Sequence, residues 1–227
     1  MLTSLERRRY VSAMELMPIG IRISGLPVLM VGGGPVALRK IRLLLKYGAK
    51  ILLVSPIVQP ALRRLAASKK LTWRRKCYST RDLSSKKHVL AIACTHSAEV
   101  NQAVARDAKK FGAWVNRADC PSGSTVHVPS IARIGGLTLA LFSGGRAPVY
   151  VKHIRRRLER ELGPKLKMEM SVLARARADI QKRVALPARR KIILNHLLKD
   201  GLLSRLAAMP AAERASRVRL LIQSLDR

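Results

Sequence analysis

Residues 27–37 read PVLMVGGGPVA, and this stretch decides the fold of the chain. An apolar run typical of a buried strand ends in Gly32, Gly33 and Gly34, and apolar residues at helical spacing follow. Read as G-x-G-x-x-A, the stretch matches the turn that seats a dinucleotide pyrophosphate on a helix N-terminus. We therefore expect a strand, a tight turn and a helix, with a dinucleotide bound at the turn.

Each residue of this turn has a predicted task. Gly32 makes the tight turn, Gly34 lets the backbone approach the phosphate, and Ala37 allows close packing of helix on strand. Backbone N–H groups at the helix start and the positive end of the helix dipole favour a bound anion. Glycine-rich turns are common, however, so a plain strand-to-helix turn is the alternative at this point.

Length and composition indicate a folded protein. The chain has 227 residues, 48% of them hydrophobic, which suits one or two domains with a core of their own. No apolar run approaches the roughly 20 residues needed to cross a bilayer, so we expect no membrane association. Cys77, Cys94 and Cys120 are odd in number and form no C-x-x-C, which favours a reducing cytoplasm and no metal cage.

The charge is extreme, with 45 Lys and Arg against 13 Asp and Glu, for a net charge of +32. Such a balance favours polyanionic partners, either nucleic acid or a small substrate with many carboxylates. The basic residues are spread along the chain and aromatic residues make up only 4%, so no base-stacking platform is predicted. We expect no specific nucleic-acid partner, and solvated helix faces are the alternative explanation of the charge.

The order of predicted elements divides the chain. Residues 1–16 are a basic N-terminal extension without a signal-type apolar core. Strands then alternate with helices over 17–125, which predicts a Rossmann-like α/β fold with a doubly wound parallel sheet. After Asp119 a Pro/Gly/Ser loop and a strand at Leu137–Phe142 lead into a basic helix that stops at Gly163-Pro164. From Lys165 onward the pattern is helical, with breaks near Pro187, Gly201 and Pro210.

Five motifs occur in a fixed order along this chain, and together they are far more specific than the glycine turn. The set resembles the precorrin-2 dehydrogenase/sirohydrochlorin ferrochelatase family, the first module of siroheme synthases. The similarity runs in register from about Pro18 to Pro164 and more loosely beyond. The motifs are VGGGPVALRK at 31–40, AIACT at 91–95, VNRAD at 115–119, VPSI at 128–131 and SGGRAPV at 143–149.

This resemblance implies an NAD-binding Rossmann domain at 17–125, a dimerisation segment at 126–163 and a helical C-terminal domain at 164–227. It implies a homodimer that oxidises precorrin-2 to sirohydrochlorin with NAD as cofactor and, in some members, inserts ferrous iron to give siroheme. The family's essential carboxylate falls on Asp119, which a general-base role suits because dehydrogenation releases a proton.

The other candidate residues come from the glycine motif, from the resemblance and, for Arg146, from its positive charge, for which a solvated helix face is the alternative. Substrate binding falls on Asn116, Ser143, Gly144 and Arg146. The positions that would bind the cofactor are Gly32, Gly33, Gly34, Pro35, Val36, Ser55, Pro56, Ile57 and Thr95.

The chain departs from the family pattern at several points. It has Cys94-Thr95-His96 where Ala-Thr-Asp is usual and Arg117-Ala118 where Val-Val precedes the aspartate. Ser55 stands where a standard NAD site places its ribose-binding acid, so the choice of NAD over NADP follows from the resemblance alone. A non-catalytic, nucleotide-sensing Rossmann domain is the alternative function. It explains the glycine turn but neither the pair Asn116 and Asp119 nor the motif at 143–145.

Overall fold

The computed structural model describes residues 16–85, 87–144 and 146–225, which form two compact units, one ending at Val128 and one beginning at Pro129. The predicted N-terminal extension lies outside the described residues, apart from Leu16. The predicted dimerisation segment falls, from Pro129 onward, in the second unit, and its role in assembly stays a prediction. Within the described ranges, no helix combines the length and apolar character needed to cross a membrane.

The first unit alternates strands and helices, as the sequence predicted. All five strands pair in parallel, in the order β3-β2-β1-β4-β5, so the predicted doubly wound parallel sheet is confirmed. The strands are β1 (Pro27–Val31), β2 (Lys50–Val54), β3 (Thr72–Arg74), β4 (Leu90–Ala93) and β5 (Trp114–Arg117), and the helices are α1 (Pro35–Lys46), α2 (Pro60–Ala67), α3 (Arg81–Ser84) and α4 (Ala98–Lys110).

The two faces of this sheet carry separate cores, because side chains along a strand alternate between faces. Val28 and Met30 of β1 pack with the buried residues of α1 and α2. Leu29 and Val31 point to the opposite face and pack with α3 and α4. Continuous apolar strands such as these are typical of parallel sheets covered on both sides.

Helix α3 was not predicted by the sequence pattern. It has only four residues, too few to show an amphipathic period. Its Asp82 is fully buried and ion-paired to Arg74 at 3.2 Å and to Lys76 at 2.8 Å. These pairs fasten the helix to the end of β3.

The second unit begins with an antiparallel hairpin, β6 (Ser130–Ile134) and β7 (Leu137–Leu141). The sequence predicted β7 but missed β6. Gly135 and Gly136 form the two-residue turn with φ of +57° and +93°, which a type I′ turn requires. A Cβ on Gly135 would lie 2.6 Å from Lys167 Cα, so the turn packs directly on a helix backbone.

Helices make up the rest of the second unit, and the breaks near Pro187, Gly201 and Pro210 are confirmed. Buried apolar side chains from four of these helices, among them Val172, Ile193, Leu206 and Ile222, form its core. The helices are α5 (Pro148–Glu161), α6 (Gly163–Arg183), α7 (Pro187–Leu198), α8 (Leu202–Ala208) and α9 (Ala211–Leu225).

Candidate functional site

The carboxyl ends of β1, β2, β4 and β5 lie at one edge of the parallel sheet. Strand order reverses beside β1, since the chain moves outward from β1 to β2 and β3 and then returns to β4 on the other side. Open α/β sheets bind ligands in the crevice at this switch point. The glycine turn follows β1 there, and Thr95 and Asp119 follow β4 and β5.

The three glycines of the turn have different surroundings. Gly32 has a φ of +113°, and a Cβ there would lie 2.5 Å from the carbonyl oxygen of Cys94. A Cβ on Gly33 would collide with the backbone of Ile57 and Val58, a close approach that the sequence did not predict. A Cβ on Gly34, by contrast, would meet no described atom within 4 Å. Gly32 and Gly33 are therefore needed by the fold, whereas Gly34 borders open space where a ligand can approach.

Helix α1 begins directly behind this space. Gly34 is its N-cap and Pro35 occupies the first turn, and among the described residues no side chain caps this end. The first turn also contains no acidic residue. Backbone N–H groups of the first turn, beginning with Val36, thus lack helical partners and point outward. Together with the helix dipole they make an anion-binding site that fits a pyrophosphate.

The segment after β2 forms the second wall of the crevice. Ser55 is buried, and its hydroxyl donates to the carbonyl oxygen of Ile57 at 2.6 Å. Gln59 ties this segment to the glycine turn, because its backbone N–H donates to Gly33 O at 3.0 Å and its side chain donates to Gly34 O at 2.9 Å. The Ile57 side chain is 77% exposed and offers an apolar surface beside the turn.

Thr95 is held by a residue that the sequence interpretation missed. Asn101 of α4 is fully buried, and its Oδ1 accepts from the backbone N–H of Thr95 at 3.0 Å and from the Thr95 hydroxyl at 2.9 Å. Its Nδ2 donates back to the Thr95 carbonyl at 3.2 Å. An asparagine on the apolar side of a predicted helix, four residues after the Ser97 N-cap, was the available signal.

Asp119 lies one residue beyond the point where β5 is joined to β4, since the N–H of Ala118 donates to Ala93 O at 2.9 Å. Its carboxylate is gripped by the Arg117 guanidinium, with Nε to Oδ1 at 3.2 Å and Nη2 to Oδ2 at 2.8 Å. These hydrogen bonds lower the pKa of Asp119 to about 2. The carboxylate is therefore ionised at neutral pH and free to accept a proton, and its low pKa makes it a weak base.

Asn116, predicted to bind substrate, is committed to other contacts in this structure. It is buried, its Oδ1 accepts from Lys40 Nζ at 2.6 Å, and its Nδ2 donates to Val126 O at 2.8 Å. Both the oxygen and the nitrogen of its carboxamide are therefore hydrogen-bonded within the protein. Its direct contact with substrate stays a prediction.

Ser143, Gly144 and Arg146, the other predicted substrate residues, lie in the second unit between β7 and α5. The Ser143 hydroxyl accepts from the N–H of Ala147 at 3.1 Å, and its carbonyl accepts from the N–H of Arg146 at 3.2 Å. Gly144 has a φ of +61°. This loop is thus a tight turn that starts α5 and exposes Arg146, while Gly145 lies outside the described residues.

Two histidines, His96 and His127, lie in loops of the first unit. His127 has its Nε2 buried and without a hydrogen-bond partner in the described part of the chain. The described residues contain no group of three or more His, Cys, Asp or Glu side chains that could hold a metal ion. His96 lies on the loop after β4.

The fold and the glycine turn together define a Rossmann-type dinucleotide-binding domain. In agreement, a family model described as "Putative NAD(P)-binding" matches residues 19–130.

Relatives extend the similarity over most of the chain. Siroheme synthase 1 of Aeromonas salmonicida is 36% identical over 203 residues, which cover 89% of this chain and 42% of the relative. Siroheme synthase of Methylococcus capsulatus is 34% identical over 218 residues, 94% of this chain and 44% of the relative. The chain therefore spans less than half the length of these relatives.

A solved structure shares the fold of nearly the whole chain. The protein named "SirC, precorrin-2 dehydrogenase" matches with a TM-score of 0.70 at 23% identity, over 93% of this chain and 99% of that one. The sequence relatives confirm the resemblance to siroheme synthases that the motifs indicated, and the structural match confirms the fold. The chain contains an NAD(P)-binding module and is related to the siroheme synthases over part of their length.

Proposed function

We propose that this protein oxidises precorrin-2 to sirohydrochlorin, with NAD as the hydride acceptor, in siroheme biosynthesis. The observation that carries the proposal is the placement of an ionised Asp119 at the same sheet edge as the open glycine turn. The names of the relatives and of the structural neighbour point to the same reaction.

The residues around the turn fit a dinucleotide. Open space at Gly34 and the uncapped first turn of α1 suit the pyrophosphate, with Gly32, Gly33, Pro35 and Val36 shaping the backbone around it. Ser55, Pro56 and Ile57 would line the adenosine side and Thr95 the nicotinamide side. Bound NAD supplies the hydride acceptor for the reaction.

In the oxidation, Asp119 accepts the proton that is released as the substrate loses its hydride. The two hydrogen bonds from the Arg117 guanidinium keep the carboxylate ionised and fix the direction of its oxygens. Where ferrous iron is inserted as a second substrate, the same carboxylate would accept protons from the pyrrole nitrogens as the metal enters.

Substrate carboxylates are the anions that this strongly basic protein would attract. Arg146, after the turn at Ser143 and Gly144, and the exposed basic residues of α5 are the proposed contacts. We also propose that the protein works as a homodimer in the cytoplasm. In support of the dimer, no residue of the described α5 is buried within the single chain, although Val151, Ile154 and Leu158 share one face.

Anaerobic incubation of the protein with precorrin-2 and NAD⁺ tests the function directly. We expect the absorption spectrum of sirohydrochlorin to develop together with NADH. NAD⁺ binding without turnover of precorrin-2 would instead support a nucleotide-sensing domain and reject the dehydrogenase.

A further inference from the structure

A lysine joins the helix behind the glycine turn to the strand that precedes Asp119. Lys40 lies on α1, and its Nζ reaches across β4 to donate to Asn116 Oδ1 on β5 at 2.6 Å. Asn116 is paired with Ile92 in the sheet register, on the face that α1 and α2 cover. Lys40 thus connects α1, the helix that follows β1, to β5, a strand that β4 separates from β1 in the sheet.

Asn116 in turn is hydrogen-bonded to the loop that carries Asp119. Its Nδ2 donates to Val126 O at 2.8 Å, and so it holds the returning end of the loop. Two neighbouring bonds close the same loop, from the N–H of Val115 to Thr125 Oγ1 and from the N–H of Arg117 to Ser124 Oγ, both at 2.8 Å. Hydrogen bonds between residues 115–117 and residues 124–126 therefore hold the two ends of this loop together.

We propose that Lys40 is a positioning residue for the reaction: through Asn116 it fixes the 118–126 loop, and with it Asp119, relative to the cofactor-binding turn of α1. The inference rests on the proposed function for its catalytic consequence, while the mechanical link rests on the described contacts alone.

The chemistry of the position supports this role. Burial lowers the pKa of Lys40, because removing an ammonium from water disfavours its charge. A partly buried amine is tolerated when it is hydrogen-bonded, and here its partner is the carboxamide oxygen of Asn116. An apolar side chain would fill the space without this desolvation but could not hold Asn116 in one orientation.

The expected consequence is a change in catalysis without a change in cofactor affinity. A misplacement of about 1 Å between reacting groups lowers rates by about 10²-fold. In Lys40→Met we expect kcat to fall by about 10- to 100-fold, while the KM and Kd for NAD⁺ change less than about threefold. Lys40→Arg keeps a donor and should recover most of the rate.

The experiment compares Lys40→Met, Lys40→Arg and the matched control Lys46→Met, which replaces an exposed lysine on the same helix. Steady-state kinetics separate kcat from KM, and hydrogen exchange of the full chain without cofactor reports on the loop directly. We expect faster exchange over 118–126 in Lys40→Met, with wild-type exchange over α1. Lys46→Met should match the wild type in both measurements.

Exchange in the 118–126 loop that stays at the wild-type rate in Lys40→Met would overturn the proposal, as would an unchanged kcat. If Lys40→Met does not fold, Asn116→Asp tests the second step of the link, from Asn116 to Val126, and wild-type exchange over 118–126 in that variant would also overturn the proposal. Asn116→Asp keeps the acceptor for Lys40 but lacks the donor to Val126, so the loop should exchange faster. Failure of the proposed function would appear as an inactive wild type, and the exchange measurement would still decide the mechanical link.

Discussion

The guanidinium of Arg117 grips both carboxylate oxygens of Asp119, and the two side chains are 12% and 29% exposed. A bidentate pair of this kind fixes direction as well as charge. A Cβ on Gly123 would lie 2.9 Å from Arg117 Cδ, so the arginine lies packed against the 3₁₀ turn Pro121–Gly123. The candidate base is therefore oriented by its own loop before any ligand binds.

Arg117→Gln should shift the pH dependence of the reaction. The pKa of Asp119 is about 2 in the folded protein, because Arg117 donates to its ionised form. Without these hydrogen bonds we expect the pKa of Asp119 to rise toward the ordinary value of about 3.9. The acid limb of the pH profile of kcat/KM should therefore move to higher pH. The exposed Arg217→Gln removes the same charge and should leave the profile unchanged.

The same pair predicts a pH dependence of stability. Because the folded pKa of Asp119 is depressed, its contribution is present above about pH 4 and is lost as the pH falls toward 2. Urea denaturation across this range should show a smaller loss of unfolding free energy in Arg117→Gln than in the wild type. Equal losses would mean that the pair is too well solvated to affect folding.

Gly34→Asp should abolish dinucleotide binding without unfolding the protein. A side chain at Gly34 meets open space, and aspartate is a favourable N-cap residue, so the fold should be kept. Its negative charge would, however, stand against the pyrophosphate. Gly34→Asn, a neutral cap of the same size, is the control and should lose less affinity. Calorimetry with NAD⁺ measures both, and wild-type affinity in a folded Gly34→Asp would place the cofactor elsewhere.

Gly33→Ala and Gly34→Ala should differ in stability although they are adjacent. The new methyl at residue 33 collides with the backbone of Ile57 and Val58, whereas at residue 34 it meets no described atom within 4 Å. We expect Gly33→Ala to lower the free energy of unfolding by about 1–3 kcal/mol or more, the range for overpacking. Gly34→Ala should stay near the wild type. Urea denaturation decides between the two.

Asp119→Ala should bind NAD⁺ normally, since the glycine turn is untouched, and lose most sirohydrochlorin formation. General bases contribute about 10²- to 10⁴-fold in rate, so a loss under about tenfold would assign Asp119 to a structural role. If iron insertion persists while dehydrogenation falls, the two activities use different groups. His96 and His127 are then the next residues to replace.

The proposed homodimer is tested by light scattering at micromolar concentration and high salt, because a charge of +32 promotes non-specific contacts at low salt. The proposed interface would cover exposed apolar side chains at the start and end of α5, which are Val149, Tyr150 and Leu162. Leu158→Glu, on the same helix, should shift the mass toward the monomer. A monomeric wild type would reject the dimer.

The alternation of strands and helices, the glycine turn and the similarity to siroheme synthases could all be predicted from the sequence. These follow from local patterns: apolar runs, helical spacing, and glycine and proline at the boundaries. The helix breaks at Pro187, Gly201 and Pro210 were predictable for the same reason. Hairpin strand β6 was not, because its conformation depends on pairing with β7 rather than on its own pattern.

Tertiary structure alone decided which side chains work together. Gly33 is needed because the chain returns at Ile57, and Asn101 matters because it lies against Thr95. Lys40 and Asn116 are 76 residues apart in the sequence, so no local sequence pattern predicts their hydrogen bond. A motif identifies residues that follow one another along the chain. Contacts between distant residues instead depend on the order and register of the strands, which bring β1, β4 and β5 side by side.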